Sequence, residues 1–167
     1  MRFNPTPLVV ILLILLATPA QAAEIAVDSA QEKPSLVERA TNSIQTAVGG
    51  ALNLVGIRYK RGGDTPDTGF DCSGFVGHVF REGMGLILPR TSREISQTGE
   101  QVKKDELQPG DLVFFNTMRR TFSHVGIYLG NNQFIHAPRS GGAVRVEDMR
   151  AGYWAKRYEG ARRVSNE

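Results

Sequence analysis

The sequence of 167 residues has one cysteine, Cys72, and three histidines. With no second cysteine, an intramolecular disulfide is excluded, and the usual structural reason for a cysteine in an exported chain is missing. There is no CxxC pair and no HExxH run, the spacings by which zinc sites announce themselves. A long basic helix and an aromatic–basic repeat are also absent, so a formal net charge of +3 does not add up to a nucleic-acid footprint. The apolar run from Leu8 to Ala17 is ten residues long. At ~1.5 Å per residue it reaches about 15 Å, half of a ~30 Å hydrocarbon core, which argues against a membrane anchor.

That run follows Met1-Arg2 and precedes Ala20-Gln21-Ala22. A basic start, a short apolar core and a small-x-small site form a secretory signal peptide over residues 1–22, with cleavage expected after Ala22. No cysteine stands at that site, so neither a lipid anchor nor any other stable membrane anchor is expected after cleavage. Export to the periplasm or cell envelope follows. Residues 23–34 are small, polar and acidic and read as a flexible leader. Residues 35–167 are one domain's worth of sequence, without internal repeats, and are read as a monomer. Loss of Arg2 lowers the formal charge from +3 to +2. Basic clusters such as Arg58/Lys60/Arg61 and Arg162/Arg163 fit a solvated surface, and remain compatible with a carboxylate-rich substrate.

Ser35 and Glu38 make a capping box, so a helix should begin at Ser35. Val37, Ala40, Ile44, Ala47, Ala51 and Val55 then mark one apolar face. Gly49-Gly50 predicts a break or bend, at about 1 kcal/mol per glycine relative to alanine. Arg58 to Gly69 reads as a loop. A second helix opens at Cys72 and runs to about Glu82, closed by Gly83 and Gly85, and a short third helix capped by Thr91 or Ser92 runs to about Gln97. After the Pro109-Gly110-Asp111 turn, strands are expected at 112–116, 124–129, 133–137, 144–147 and 158–164. Helices first and an antiparallel sheet afterwards indicate an α+β domain.

Cys72 therefore stands at a helix N-terminus, where the dipole and unpaired N–H groups favour a thiolate. Downstream, His124 and His136 each lie in a strand-like run. The order reads as a nucleophile, a general base that shares its proton, and a group that orients the base. The free N–H of Cys72 would face a developing oxyanion. His78, on the helix after Cys72, is left out of the site as a structural histidine. A zinc site of Cys72, His124, His136 and a carboxylate is the rival, without a ligand spacing behind it. No cofactor is expected.

Several runs carry a resemblance: Gly56-Ile57-Arg58-Tyr59-Lys60-Arg61-Gly62-Gly63, Phe70-Asp71-Cys72-Ser73-Gly74-Phe75 and Leu88-Pro89-Arg90-Thr91-Ser92. So do Leu107 to Phe115, His124 to Gly130, and Phe134-Ile135-His136-Ala137. Together they resemble the NlpC-type family of bacterial cell-wall peptidases over about Ser35 to Val164. The resemblance implies a reduced papain-like fold and hydrolysis of amide bonds in peptidoglycan stem peptides, at D-glutamyl–diaminopimelate or crosslink bonds. It implies Cys72 as nucleophile, His124 as base and His136 as the third polar residue. Tyr59 would lie beside the thiol, and Asp71 and Ser73 would line the substrate groove. Many relatives carry a large aromatic where this chain has Arg61, which suggests a more basic groove wall. The other readings are a non-catalytic wall-binding module and a papain-like amidase on another substrate.

One geometric condition follows from strand alternation. With a plain two-residue turn at Asn131-Asn132, His124 and His136 would face opposite sides of their hairpin. A three-residue loop, Gly130 to Asn132, or a β-bulge near Gly126 would put them on one face, with His136 opposite Gly126.

Overall fold

The computed structural model describes residues 35–117 and 119–165. The expected signal peptide and leader lie outside the described residues. Helix α1 (Leu36–Asn53) starts at Ser35, whose hydroxyl accepts from Glu38 N while the Glu38 carboxylate accepts from Ser35 N, the reciprocal capping box. The helix continues through Gly49-Gly50 without a break. Packing explains this: Ala47 and Ala51 on either side are buried in the core, and that burial outweighs the propensity cost of two glycines.

The expected loop before Cys72 contains a two-stranded ribbon, β1 (Asp64–Thr65) with β2 (Gly69–Phe70). Helix α2 (Cys72–Met84) is capped by Asp71, which accepts from Gly74 N at 2.8 Å, and ends at Gly85 in the left-handed conformation. Gly83 lies inside this helix. A Cβ there would meet Ala47 Cα at 2.6 Å, so its role is the close crossing of α2 over α1. Helix α3 (Ser92–Ile95) has its own capping box, Thr91 with Glu94.

The remaining chain builds a six-stranded antiparallel sheet in the order β3 (Glu100–Val102), β8 (Tyr158–Arg163), β4 (Leu112–Phe115), β5 (His124–Gly130), β6 (Gln133–His136) and β7 (Arg145–Asp148). The Pro109-Gly110-Asp111 turn is fixed by Asp111, a buried carboxylate that accepts from Gln108 N at 2.7 Å and from the Arg163 guanidinium at 2.8 Å. A one-turn helix α4 (Gly152–Ala155), not anticipated from the sequence, precedes β8.

Alternation along the strands sorts two cores. Leu112, Phe114, Val125, Ile127 and Ile135 pack with Phe75, Val79 and Phe80 of α2. Val113, Phe115, Tyr128, Phe134 and Ala161 form a second cluster with Met149 and Trp154 of the α4 region. Each fully buried phenylalanine contributes about 1.5–3 kcal/mol.

The β5–β6 hairpin meets the geometric condition by a bulge. Asn131 and Asn132, at φ 52° and 61°, make the two-residue turn of the type that suits twisted strands. The register shifts between Tyr128 and Gly130, leaving Leu129 unopposed, so that Ile127 faces Ile135. One step further, Gly126 comes opposite His136, on the face that His124 shares.

Candidate active site

Cys72 reaches the site from the first turn of α2, at the seam between that helix and the start of β5. The backbone N–H groups of Val125, Ser73 and Cys72 lie around its sulfur. These donors lower the thiol pKa, but burial opposes them and the nearby Asp71 carboxylate adds to the opposition, pushing Cys72 up to about 11. The helix start therefore does not by itself make the thiolate the resting form. A thiolate at this position would need a neighbouring group to take the proton.

His124 begins β5 and is buried. Its Nε2 lies 2.7 Å from Nδ1 of His136, the last residue of β6. That bond occupies one ring nitrogen of His124 and leaves Nδ1 outside the pairing. Burial, and secondly the neighbouring His136, hold His124 well below the ordinary imidazole value. Burial also lowers His136, against an opposing pull from Glu147. Both imidazoles are thus neutral in the resting site, able to accept a proton rather than already holding one.

Gly126 makes room for this contact. A Cβ at 126 would lie 2.7 Å from Phe134 Cδ2, 2.8 Å from Ile135 O and 3.1 Å from His136 Cβ. Trp154 covers the pair. Its ring stacks on His124 at 5.5 Å and 26°, and meets His136 edge-on at 4.9 Å. Its Nε1–H donates to Glu147 Oε2. Glu147 Oε2 also lies 3.3 Å from His136 Nε2, and its other oxygen accepts from Arg145 Nε at 2.6 Å.

Cys72, His124 and Tyr59 line one cleft of about 850 Å³, with Arg139, Arg145, Glu147, Tyr153 and Trp154 among the other walls. Tyr59 is set by backbone bonds in two directions, Tyr59 N to Gly142 O at 2.8 Å and Lys60 N to Phe70 O at 2.9 Å. Burial, and then the adjacent Cys72, raise its phenol pKa, so it is a hydrogen-bond donor at neutral pH. His136 stands behind His124, fully buried.

Asp71 and Ser73 are not among the residues lining this cleft. Arg90 takes both: Nη1 bonds Asp71 Oδ1 and Ser73 Oγ at 3.0 Å, and Nη2 bonds Asp71 Oδ2 at 2.7 Å. Asp71 further accepts from Gly62 N at 2.9 Å, tying the Gly62-Gly63 turn to the helix cap. Arg61 is exposed and off the cleft wall; the basic groups there are Arg139 and Arg145. His78 stands apart, its ring 5.1 Å from Phe70. Among the described residues no three His, Cys, Asp or Glu side chains converge in a geometry that could hold a metal ion.

No sequence motif assigns a role in the site to Glu147, Trp154 or Arg90. Arg145 and Glu147 are alternate residues of one strand, hence on one face, and that much was readable. Their approach to His136 depends on a register in which His136 pairs with Arg145 and Glu147 lies diagonal to it.

Helices packed on an antiparallel sheet, with a cysteine at a helix start and a histidine at a strand start lining one cleft, make this a reduced papain-like domain. The chain belongs to the NlpC/P60 family, whose sequence profile matches residues 56–163. It is 50% identical over 109 residues to the murein DD-endopeptidase MepS/murein LD-carboxypeptidase of Escherichia coli K12, covering 65% of this chain and 56% of that protein. It is 39% identical over 131 residues to the murein DD-endopeptidase MepH of the same organism, covering 77% and 47%. Identity to the gamma-DL-glutamyl hydrolase of Bacillus subtilis is 41% over 117 residues, covering 70% and 28%. The chain thus spans about half the length, or less, of these curated relatives. Among solved structures, an NlpC/P60 family protein from Bacillus cereus superposes with a TM-score of 0.67 at 32% identity, over 72% of this chain and 39% of that one. The NlpC/p60 domain of the peptidoglycan hydrolase SagA gives 0.64 at 30% identity, over 72% and 98%.

Proposed function

We propose that this chain is a cysteine peptidase that hydrolyses amide bonds in peptidoglycan stem peptides. The observation that carries the reading is the Cys72 sulfur at the start of α2, in the same open cleft as His124, whose far nitrogen is bonded to His136 at 2.7 Å. A binding surface has no need of a nucleophile, a base and an orienting group in series.

His124 Nδ1 takes the thiol proton as the Cys72 sulfur adds to the scissile carbonyl carbon. The N–H of Cys72 faces the oxyanion that forms, and the Tyr59 hydroxyl is the second donor on that wall. His124 returns the proton to the leaving amine as the C–N bond breaks, giving an acyl thioester. Water then attacks the thioester with His124 as base, and the thiol is restored. His136 holds the ring of His124 in plane throughout.

The substrate bond follows from the relatives' names in two ways. The two murein DD-endopeptidases support a crosslink bond, and the gamma-DL-glutamyl hydrolase supports a γ-glutamyl bond such as D-glutamyl–diaminopimelate. Arg139 and Arg145 on the cleft wall suit the free carboxylates that either kind of stem peptide carries. The N-terminal signal pattern supports action in the periplasm or cell envelope. Among the described residues no helix is long and apolar enough to cross a membrane.

The test is digestion of purified peptidoglycan by the wild-type protein and by Cys72→Ala, followed by mass spectrometry of the released muropeptides. Cleavage by wild type alone, with products cut at one stem-peptide bond, is expected and identifies that bond. Wall binding without cleavage by either protein would instead favour a non-catalytic module.

A further inference from the structure

We propose that Glu147 is a positioning residue of this site, fixing the tautomers of both histidines and carrying the countercharge when His124 accepts the proton of Cys72. The inference rests on the Cys72–His124 reading above, and does not depend on which substrate is cut.

His136 is fully buried, and its Nε2 makes no aligned hydrogen bond, yet Glu147 Oε2 lies 3.3 Å away. An ionised carboxylate can only accept, so the proton of neutral His136 belongs on Nε2, facing that charge. Nδ1 of His136 is then a lone pair. Because His124 Nε2 lies 2.7 Å from it, His124 must supply the hydrogen there. With its proton on Nε2, His124 presents Nδ1 to Cys72 as a base. One carboxylate thereby sets two tautomers in sequence, and the opposite tautomers would point a lone pair of His136 at an anion.

The same carboxylate is held to its task. Trp154 Nε1–H and Arg145 Nε both donate to it, which fixes its orientation and keeps it ionised. The His136 ring against it is the largest influence that brings Glu147 down to about 2. When the thiol proton moves to His124, an imidazolium forms on a buried ring whose own surroundings disfavour it. Contracting the His136–Glu147 contact into an aligned hydrogen bond offsets that cost. The charged and titratable groups around the pair are Arg145, Glu147 and Asp148 on β7, Cys72 on α2, and Tyr59, Arg139 and Tyr153 along the cleft. Glu147 raises the affinity of both histidines for a proton, and Arg145 lowers that of His136.

Two readouts need no substrate. The first is the rate of Cys72 alkylation by iodoacetamide at neutral pH. The second is intrinsic tryptophan fluorescence during acid titration: Trp154 is the sole tryptophan, stacked on His124, and a protonated imidazole quenches indole emission. Glu147→Gln keeps the shape and the acceptor for Trp154 while removing the charge. It should slow alkylation by about tenfold or more, the effect of one pKa unit, and move the quenching midpoint to lower pH. Glu147→Asp should recover part of both. Arg145→Ala should move the midpoint the other way, upward, which a merely structural disturbance of β7 would not do. Wild-type alkylation rates and an unshifted midpoint in Glu147→Gln would overturn the proposal. So would a folded Glu147→Asp variant no better than Glu147→Gln. Fast alkylation of Cys72 in the wild-type protein, slowed in Glu147→Gln, together with failure of the wild type to cut peptidoglycan would count against the proposed substrate and leave the role of Glu147 standing.

Discussion

Trp154 lies over His124 with ring centroids 5.5 Å apart and planes inclined by 26°, while the edge of the same indole meets His136. One side chain thus shields both histidines from water. Trp154→Ala removes a buried indole and should cost about 3–5 kcal/mol of stability. Trp154→Phe retains most of the cover but loses the N–H donated to Glu147. We expect the Phe variant to fold with a modest fall in melting temperature, and to lose activity chiefly in kcat. A Phe variant with wild-type kcat would mean the indole serves packing alone.

Gly126 gives a second, sharper test, because its backbone needs no unusual conformation there and space is the whole issue. The atoms a Cβ would meet belong to Phe134, Ile135 and His136, all closer than ordinary contact. Overpacking of this kind typically costs about 1–3 kcal/mol. Gly126→Ala should lower the denaturation midpoint and, by displacing His136, slow Cys72 alkylation more than the stability loss alone predicts. An Ala variant with unchanged alkylation would place the clash away from the histidine pair.

His124 and His136 should differ in what their loss costs. General acid–base groups supply ~10²–10⁴-fold in rate, so His124→Ala should lose at least that in kcat/KM. His136→Asn or Gln can still accept from His124 Nε2 and should keep partial activity. Equal and complete loss in both would erase the distinction between base and orienting group.

The pH dependence of stability has a sign on each side. Burial holds His124 and His136 below the ordinary 6.5. As pH falls through that value the unfolded chain takes up protons first, so stability declines. Glu147, drawn from 4.5 to about 2 mainly by His136, extends the decline further into acid. On the alkaline side burial lifts Cys72 from 9.0 to about 11. There the unfolded chain releases its proton first, and stability falls as pH rises between those values. Melting temperatures should therefore form a plateau from about pH 6.5 to 9. Wild type should lose stability relative to Cys72→Ala as pH is raised past 9; parallel alkaline limbs would refute the buried-thiol account.

Much of the architecture was legible because local signals agreed with packing. The capping box at Ser35, the cap at Thr91 and the strand runs after residue 109 all recur in the structure. Gly49-Gly50 misleads because helix propensity takes no account of the burial of Ala47 and Ala51. The ribbon of β1 and β2 was hidden in a stretch rich in Gly, Asp and Thr, where two-residue strands leave no periodicity. Cys72, His124 and His136 stood out by residue type and scarcity. Glu147 did not, being one of 17 acidic residues until the β6–β7 register brings it to His136. Arg90 falls in a run that carries the family resemblance, but its pairing is hidden for a related reason: nothing local connects it to Asp71, which lies 19 residues earlier.

The bulge at Leu129 gives the β5–β6 hairpin an unequal tolerance for changes in length. Because Leu129 has no partner across the ladder, a deletion of one residue between Gly126 and Gly130 can be absorbed by straightening the strand. Gly126 then still meets His136, and both imidazoles stay on their shared face. An added residue has no such outlet. It demands a second bulge or a slipped ladder, and a slip of one turns His136 into the opposite core. Of the two histidine-bearing strands, β5 can lose a residue and keep its chemistry, but it has no slack in which to gain one.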